Sequence, residues 1–180
     1  MRIQKKQTRS DTRKKTQRLT LCALLTAMML ILGYVESLIP FNFGIPGIKL
    51  GLSNSVLIFA VYMLSLPTAF LLMLVKVLLS ALLFGGGFLS PSTVFALAGG
   101  CLSVLVMGLL HFDKGLWPIV VSMAGGVSHG AAQVAVYMFM NPGSNLFLYM
   151  GVLMLVGMGT GAVTGFIGDR VMRHMKTLKT

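Results

Sequence analysis

Carboxylates are scarce in this sequence: Asp11, Glu36, Asp113 and Asp169 are the four acidic residues among 180. Acids so few and so scattered leave no paired carboxylates for general acid–base work and no Asp-rich cluster for a magnesium-bound diphosphate. A Walker-type phosphate loop is also lacking. Self-contained catalysis is therefore not expected. Charge of either sign is sparse too, at 11% of residues against about a quarter in soluble domains. The two cysteines, Cys22 and Cys101, both fall inside apolar runs, which argues against a disulfide. His129 has no thiolate or carboxylate near it in sequence, so no metal ligand set and no cofactor is expected.

What remains is apolar. The chain is 56% hydrophobic with a mean hydropathy of +0.86. A soluble fold could not hide so many runs of membrane-spanning length, so the chain reads as an all-α, multi-pass integral membrane protein with a single membrane domain. Its net charge of +11 sits at the ends. Arg2, Lys5, Lys6, Arg9, Arg13, Lys14, Lys15 and Arg18 crowd one terminus, and Arg170, Arg173, Lys176 and Lys179 the other. That placement predicts cytoplasmic tails able to touch anionic lipid headgroups. Nucleic-acid binding is not expected, because no folded basic face or stacking aromatics accompany the charge.

Residues 1–18 read as a basic tail, disordered or at most an interfacial helix, 19–168 as a six-helix membrane domain, and 169–180 as a second basic tail. The basic start lacks a small-x-small cleavage site, so the first apolar run is expected to be a retained helix. Spans are expected at 19–38, 50–65, 67–84, 92–110, 117–140 and 146–168. They are separated by Pro40, Pro46 and Gly47, then Pro67, the Gly85–Pro91 loop, the turn at His111–Gly115 and the turn at Asn141–Asn145. Six spans put both tails and Lys114 on the cytoplasmic side, with Lys49 and Lys76 as the basic exceptions.

The polar exceptions inside the spans are the candidates for function. Pro46-Gly47-Ile48-Lys49-Leu50-Gly51-Leu52-Ser53-Asn54 joins two spans. It has helix breakers, a glycine allowing close backbone approach, a cation and two hydrogen-bonding side chains. Glu36 lies just upstream. Ser53 and Asn54 are expected to open a helix whose N-terminus favours a negative or carbonyl-rich ligand. Lys76 is about nine residues, or about 13 Å, from each end of its span. A lysine at that depth is costly unless it is used. His129 and Gln133 share a helix face, with Ser128 beside them. Gly125, Gly126 and Gly130 would admit a ligand or another backbone. Each group also has a plainer use: Lys49 could snorkel to the interface, Lys76 could pair with Glu36, and His129 and Gln133 could bond between helices. Gly157, Gly161 and Gly165, and likewise Ala23 and Ala27, repeat small residues at helical spacing. Such faces let helices pack closely in a membrane, and internal packing is the expected use in the last span.

Gly33-x-x-Glu36-Ser37-x-Ile39-Pro40, the Pro46–Asn54 stretch, Lys76-x-x-Leu79-Ser80-Ala81-Leu82-Leu83-Phe84-Gly85 and Ser128-His129-x-x-x-Gln133 resemble one bacterial membrane family. It carries two labels, heptaprenyl diphosphate synthase component I and Gx transporter, and the likeness covers about residues 19–168. Relatives often carry arginine where Lys76 stands, so the cation here is a point charge rather than a bidentate fork. The family in turn resembles the substrate-binding S components of energy-coupling factor transporters.

That second likeness implies uptake of a small, anionic or polar molecule across a bacterial cytoplasmic membrane. Glu36, Lys49, Ser53, Asn54, Lys76, His129 and Gln133 would bind it in an outward cavity roofed by residues 39–49. Ala23 and Ala27 would dock on a coupling subunit served by ATPases. The synthase label implies instead a non-catalytic component beside a prenyltransferase catalytic subunit. Transport is the primary expectation and the synthase component the alternative. A scaffold for quinone or flavin redox proteins is a third.

Overall fold

The structure, a computed structural model, describes residues 2–38, 51–84, 87–112, 115–143 and 146–177. The 39–49 segment with Lys49, and Lys114, lie outside the described residues. The fold is all helical: α1 (Arg2–Leu38), a 3-10 turn η1 (Leu52–Val56), α2 (Leu57–Met63), α3 (Leu66–Leu83), α4 (Pro91–His111), α5 (Pro118–Met140) and α6 (Phe147–Thr177). Five of these six α-helices are long and apolar enough to cross a membrane. The chain is a multi-pass membrane protein.

Helix starts follow local chemistry. Pro91 and Pro118 open α4 and α5, and Pro67 lies in the first turn of α3, where a missing N–H is harmless. Ser90 caps α4 by accepting from the Thr93 backbone N–H. α1 is helical from Arg2, so the start of the membrane domain near residue 19 is a change of composition and not of secondary structure. Lys, Arg and Gln are good helix formers, and no proline interrupts residues 2–38. The Thr16, Thr20 and Thr26 hydroxyls donate to carbonyls one turn back. α6 likewise continues past residue 168 to Thr177.

The second expected span differs most. It is no uniform helix over 50–65 but five residues of 3-10 turn followed by seven of α-helix. Gly51, with φ 84°, occupies the left-handed region that favours glycine. The Asn54 N–H donates to the Gly51 carbonyl at 2.9 Å. The amide expected to be offered to a ligand at a helix N-terminus is therefore used inside the turn.

This short segment is the hub of the fold. η1 and α2 together touch α1, α3, α4, α5 and α6, and Val56, Leu57, Ile58, Ala60 and Val61 are all buried. Around them α3 packs on α4, α4 on α5 and α5 on α6, while α1 rests on η1 and α3. Leu25 and Met29 of α1, Met73 and Val77 of α3, Val104 and Met107 of α4, and Val121 of α5 complete one core. Leu71, Leu78 and Leu82 on α3 and Leu102, Leu105 and Leu109 on α4 are exposed at helical spacing, as lipid-facing rows are.

The α5–α6 contact is the closest. A Cβ at Gly161 would lie 2.6 Å from the Ser122 carbonyl oxygen, and one at Gly165 2.7 Å from the Ile119 Cα. Gly157 and Gly126 meet backbone to backbone. The glycine row of the last span is an internal packing face. Gly125 lies against the Met107 side chain and Gly130 against Leu153, so these glycines also serve helix packing.

Candidate functional site

Six sequence-predicted site residues sit in the described part of the chain, and all six are buried: Glu36, Ser53, Asn54, Lys76, His129 and Gln133. Four of them form one hydrogen-bonded chain across three elements. Lys76 Nζ of α3 donates to Asn54 Oδ1 of η1 at 3.4 Å. The other end of that amide, Asn54 Nδ2, lies 2.6 Å from His129 Nδ1 of α5. His129 Nε2 is 2.7 Å from the Gln133 amide one turn along α5.

Each position has a local cause. The left-handed Gly51 turns the chain so that η1 can insert Ser53 and Asn54 into the helix bundle. Glu36, near the end of α1, holds that turn, since its Oε1 accepts the Gly51 N–H at 2.6 Å. A carboxylate accepting from a backbone amide makes a charge-assisted bond, about twice as strong as a neutral one. The imidazole fits only because two glycines face it. A Cβ at Gly51 would lie 2.8 Å from His129 Cδ2, and one at Gly99 of α4 2.5 Å from His129 Nδ1. Lys76 is 6% exposed. Placing a lysine at the centre of a membrane helix costs about 2.5–3.5 kcal/mol, and hydrogen bonds from a charged group return about 1.5–3 kcal/mol each.

Beside this chain lies a cavity of about 20 Å³ lined by Gly33, Ser53, Lys76, Ser80, Ser92, Thr93 and apolar neighbours. That volume holds about one water molecule. Its floor is the start of α4, where the Ser90 hydroxyl contacts the Ser92 hydroxyl at 3.0 Å and that of Thr93 at 2.9 Å. Thr93 Oγ1 also donates to the Gly87 carbonyl at 3.0 Å. A cation, two amides, an imidazole and several hydroxyls are chemistry suited to holding an anionic or carbonyl-bearing group. A ligand larger than water requires the surrounding elements to part.

Ser128 stands apart from the cluster: its hydroxyl donates to the Gly125 carbonyl of its own helix at 3.0 Å. Ala23 and Ala27 are both exposed on α1. Sequence reasoning missed Gly99, Ser80, Ser92 and Thr93. The pair Gly99-Gly100 within an apolar helix is the one available signal, because serine and threonine in membrane helices usually bond back to their own carbonyls.

A family model, heptaprenyl diphosphate synthase component I, matches residues 25–171, which takes in all six of these residues and at least part of every helix of the bundle. Comparison with curated proteins and with solved structures gave no match. The match covers most of the sequence and agrees with the all-helical membrane fold: this chain belongs to the heptaprenyl diphosphate synthase component I family.

Proposed function

We propose that this protein is a non-catalytic membrane component working beside a separate prenyltransferase, the subunit that extends an allylic diphosphate with isopentenyl diphosphate. The family match over residues 25–171 carries the reading, and it favours the synthase component over transport. In this reading the Lys76–Asn54–His129–Gln133 chain holds a polar or anionic small molecule in the bundle, and chain elongation occurs on the partner. The test is reconstitution: the purified protein in vesicles, mixed with the prenyltransferase from the same genome. Co-sedimentation with the vesicles and a changed product length or rate support the reading. A prenyltransferase that neither sediments nor changes its products overturns it.

A second reading rests on the buried polar chain itself. An S-component-like protein captures a small molecule in such a site and docks on a coupling subunit through α1, where Ala23 and Ala27 are exposed. Co-purification of a coupling subunit with its ATPases supports this reading, and their absence from the complex counts against it.

A further inference from the structure

α1 and α6 close the two ends of the arc around α2 and leave an apolar groove of about 330 Å³ between them. Its walls are Leu21, Leu24, Leu25, Met28 and Leu32 on α1 and Thr164, Ile167 and Val171 on α6, with Val56, Phe59 and Met63 beneath. Leu24, Met28, Ile167 and Val171 are exposed, so in a bilayer the groove opens sideways into lipid. Because the early part of α1 faces the late part of α6 across it, both basic termini lie at its one end.

Charge continues the groove at that end. On α1, Arg18 is three residues before Leu21 and seven before Leu25, and Lys14 is seven before Leu21, so both fall on the helix face that lines the groove. On α6, Arg170 turns away from the groove, its guanidinium 5.1 Å above the Phe166 ring, which is not part of the groove wall. Lys14 and Arg18 are both exposed. The nearby carboxylate of Asp169 is engaged by Arg173 at 2.8 Å.

We propose that the α1–α6 groove holds one acyl chain of an anionic phospholipid whose headgroup is bound by Lys14 and Arg18. Length identifies the occupant. Leu21 to Leu32 is eleven helical steps, about 16 Å, and one leaflet of hydrocarbon is about 15 Å deep. The groove therefore spans a single leaflet, with its cations at headgroup depth on the side of the two termini. Each such cation near an anionic membrane surface favours binding, and the groove converts that general attraction into a defined site. The inference stands independently of the proposed function.

Native mass spectrometry of the full chain, released from nanodiscs of equal phosphatidylglycerol and phosphatidylcholine, tests it. The expected result is one tightly retained lipid, with phosphatidylglycerol preferred about tenfold. Lys14→Gln and Arg18→Gln together should abolish that preference while a lipid is still retained. Met28→Trp with Ile167→Trp, on opposite walls, should remove retained lipid of both kinds, thermal unfolding confirming that the variant is folded. Equal retention of both lipids by the native protein overturns the proposal, and so does a lipid that survives the double tryptophan change. Displacement of phosphatidylglycerol by an equimolar polyprenyl diphosphate also overturns the choice of occupant.

Discussion

Lys76 Nζ donates to Asn54 Oδ1, and that one contact sets the direction of every other bond in the buried chain. An ammonium group donates only, so the amide oxygen of Asn54 must face it and the amide nitrogen must face His129. Asn54 Nδ2 then donates to His129 Nδ1, which leaves the proton of the neutral ring on Nε2. The Nε2–H donates in turn to the carbonyl end of the Gln133 amide, whose two ends exchange by a half-turn. A ring carrying its proton on Nδ1 would instead need the Asn54 oxygen turned toward it. The cation at the far end of Asn54 decides between them.

Removing the cation should therefore change a proton two groups away. In Lys76→Met the Asn54 amide is free to turn its oxygen to the ring, and Nδ1–H then bonds to Asn54. Nitrogen-15 chemical shifts of His129 at neutral pH are expected to report the Nε2–H tautomer in the native protein and a shift toward Nδ1–H in Lys76→Met. An Nδ1–H ring in the native protein would contradict the assignment.

The same substitution separates a ligand contact from a structural one. Lys76→Met keeps most of the stem and removes a cation that is costly at this depth, while losing hydrogen bonds of similar magnitude. Unfolding in detergent should shift by less than about 1 kcal/mol on those offsetting figures. Asn54→Leu, by contrast, takes a partner from both Lys76 and His129, at about 1–3 kcal/mol for each buried group affected. If instead Lys76→Met is strongly destabilising and Glu36→Gln restores stability, the two charges act as a coupled pair.

Polar groups at membrane depth were the legible part of this site. Lys76, His129 and Gln133 stand out in apolar runs because lipid offers them no partners, and the structure brings them to the Ser53–Asn54 turn. The hub was less legible. Hydropathy scores residues 50–65 as one more span, since a segment buried by five neighbours and one facing lipid are equally apolar. Only Gly51 signalled an irregular start. The Gly99-Gly100 pair marks a close approach on α4 but not its partner, because making room for a ring on another helix is a property of the bundle.

Glycine positions on α6 give a test with an internal control. A Cβ at Gly161 would lie 2.6 Å from a backbone oxygen of α5, whereas Gly151 and Gly159 on the same helix have nothing within 4 Å. Gly161→Leu must push α6 away from α5 and is expected to destabilise by about 3 kcal/mol or more, the upper part of the overpacking range. Gly159→Leu should be nearly neutral. Equal tolerance at both positions in thermal unfolding would refute the close α5–α6 contact.

Both termini are expected on the cytoplasmic side, from the placement of basic residues. With Cys22 and Cys101 replaced by alanine, a membrane-impermeant thiol reagent added to intact cells should label a cysteine at Asn141. It should miss one at Gly115 or Arg173 until the membrane is permeabilised. The reverse pattern would invert the orientation.

Ala23 and Ala27 offer the sharpest separation between folding and assembly. They are four residues apart and both exposed, so a bulky side chain at either meets no neighbour within this chain. Counting 100° per residue, they lie about 200° and 240° around α1 from Leu21, on the far side from the lipid groove. Small residues at this spacing let a second helix approach closely, and in a membrane that approach is the main source of association. Ala23→Trp and Ala27→Trp should leave the unfolding temperature of the isolated protein within a degree or two and the retained lipid unchanged. Co-purification of a membrane-embedded partner should fall at least tenfold. Partner recovery equal to the native protein in both variants would remove this face from any docking role, and a loss of unfolding temperature would show that the alanines serve the fold instead.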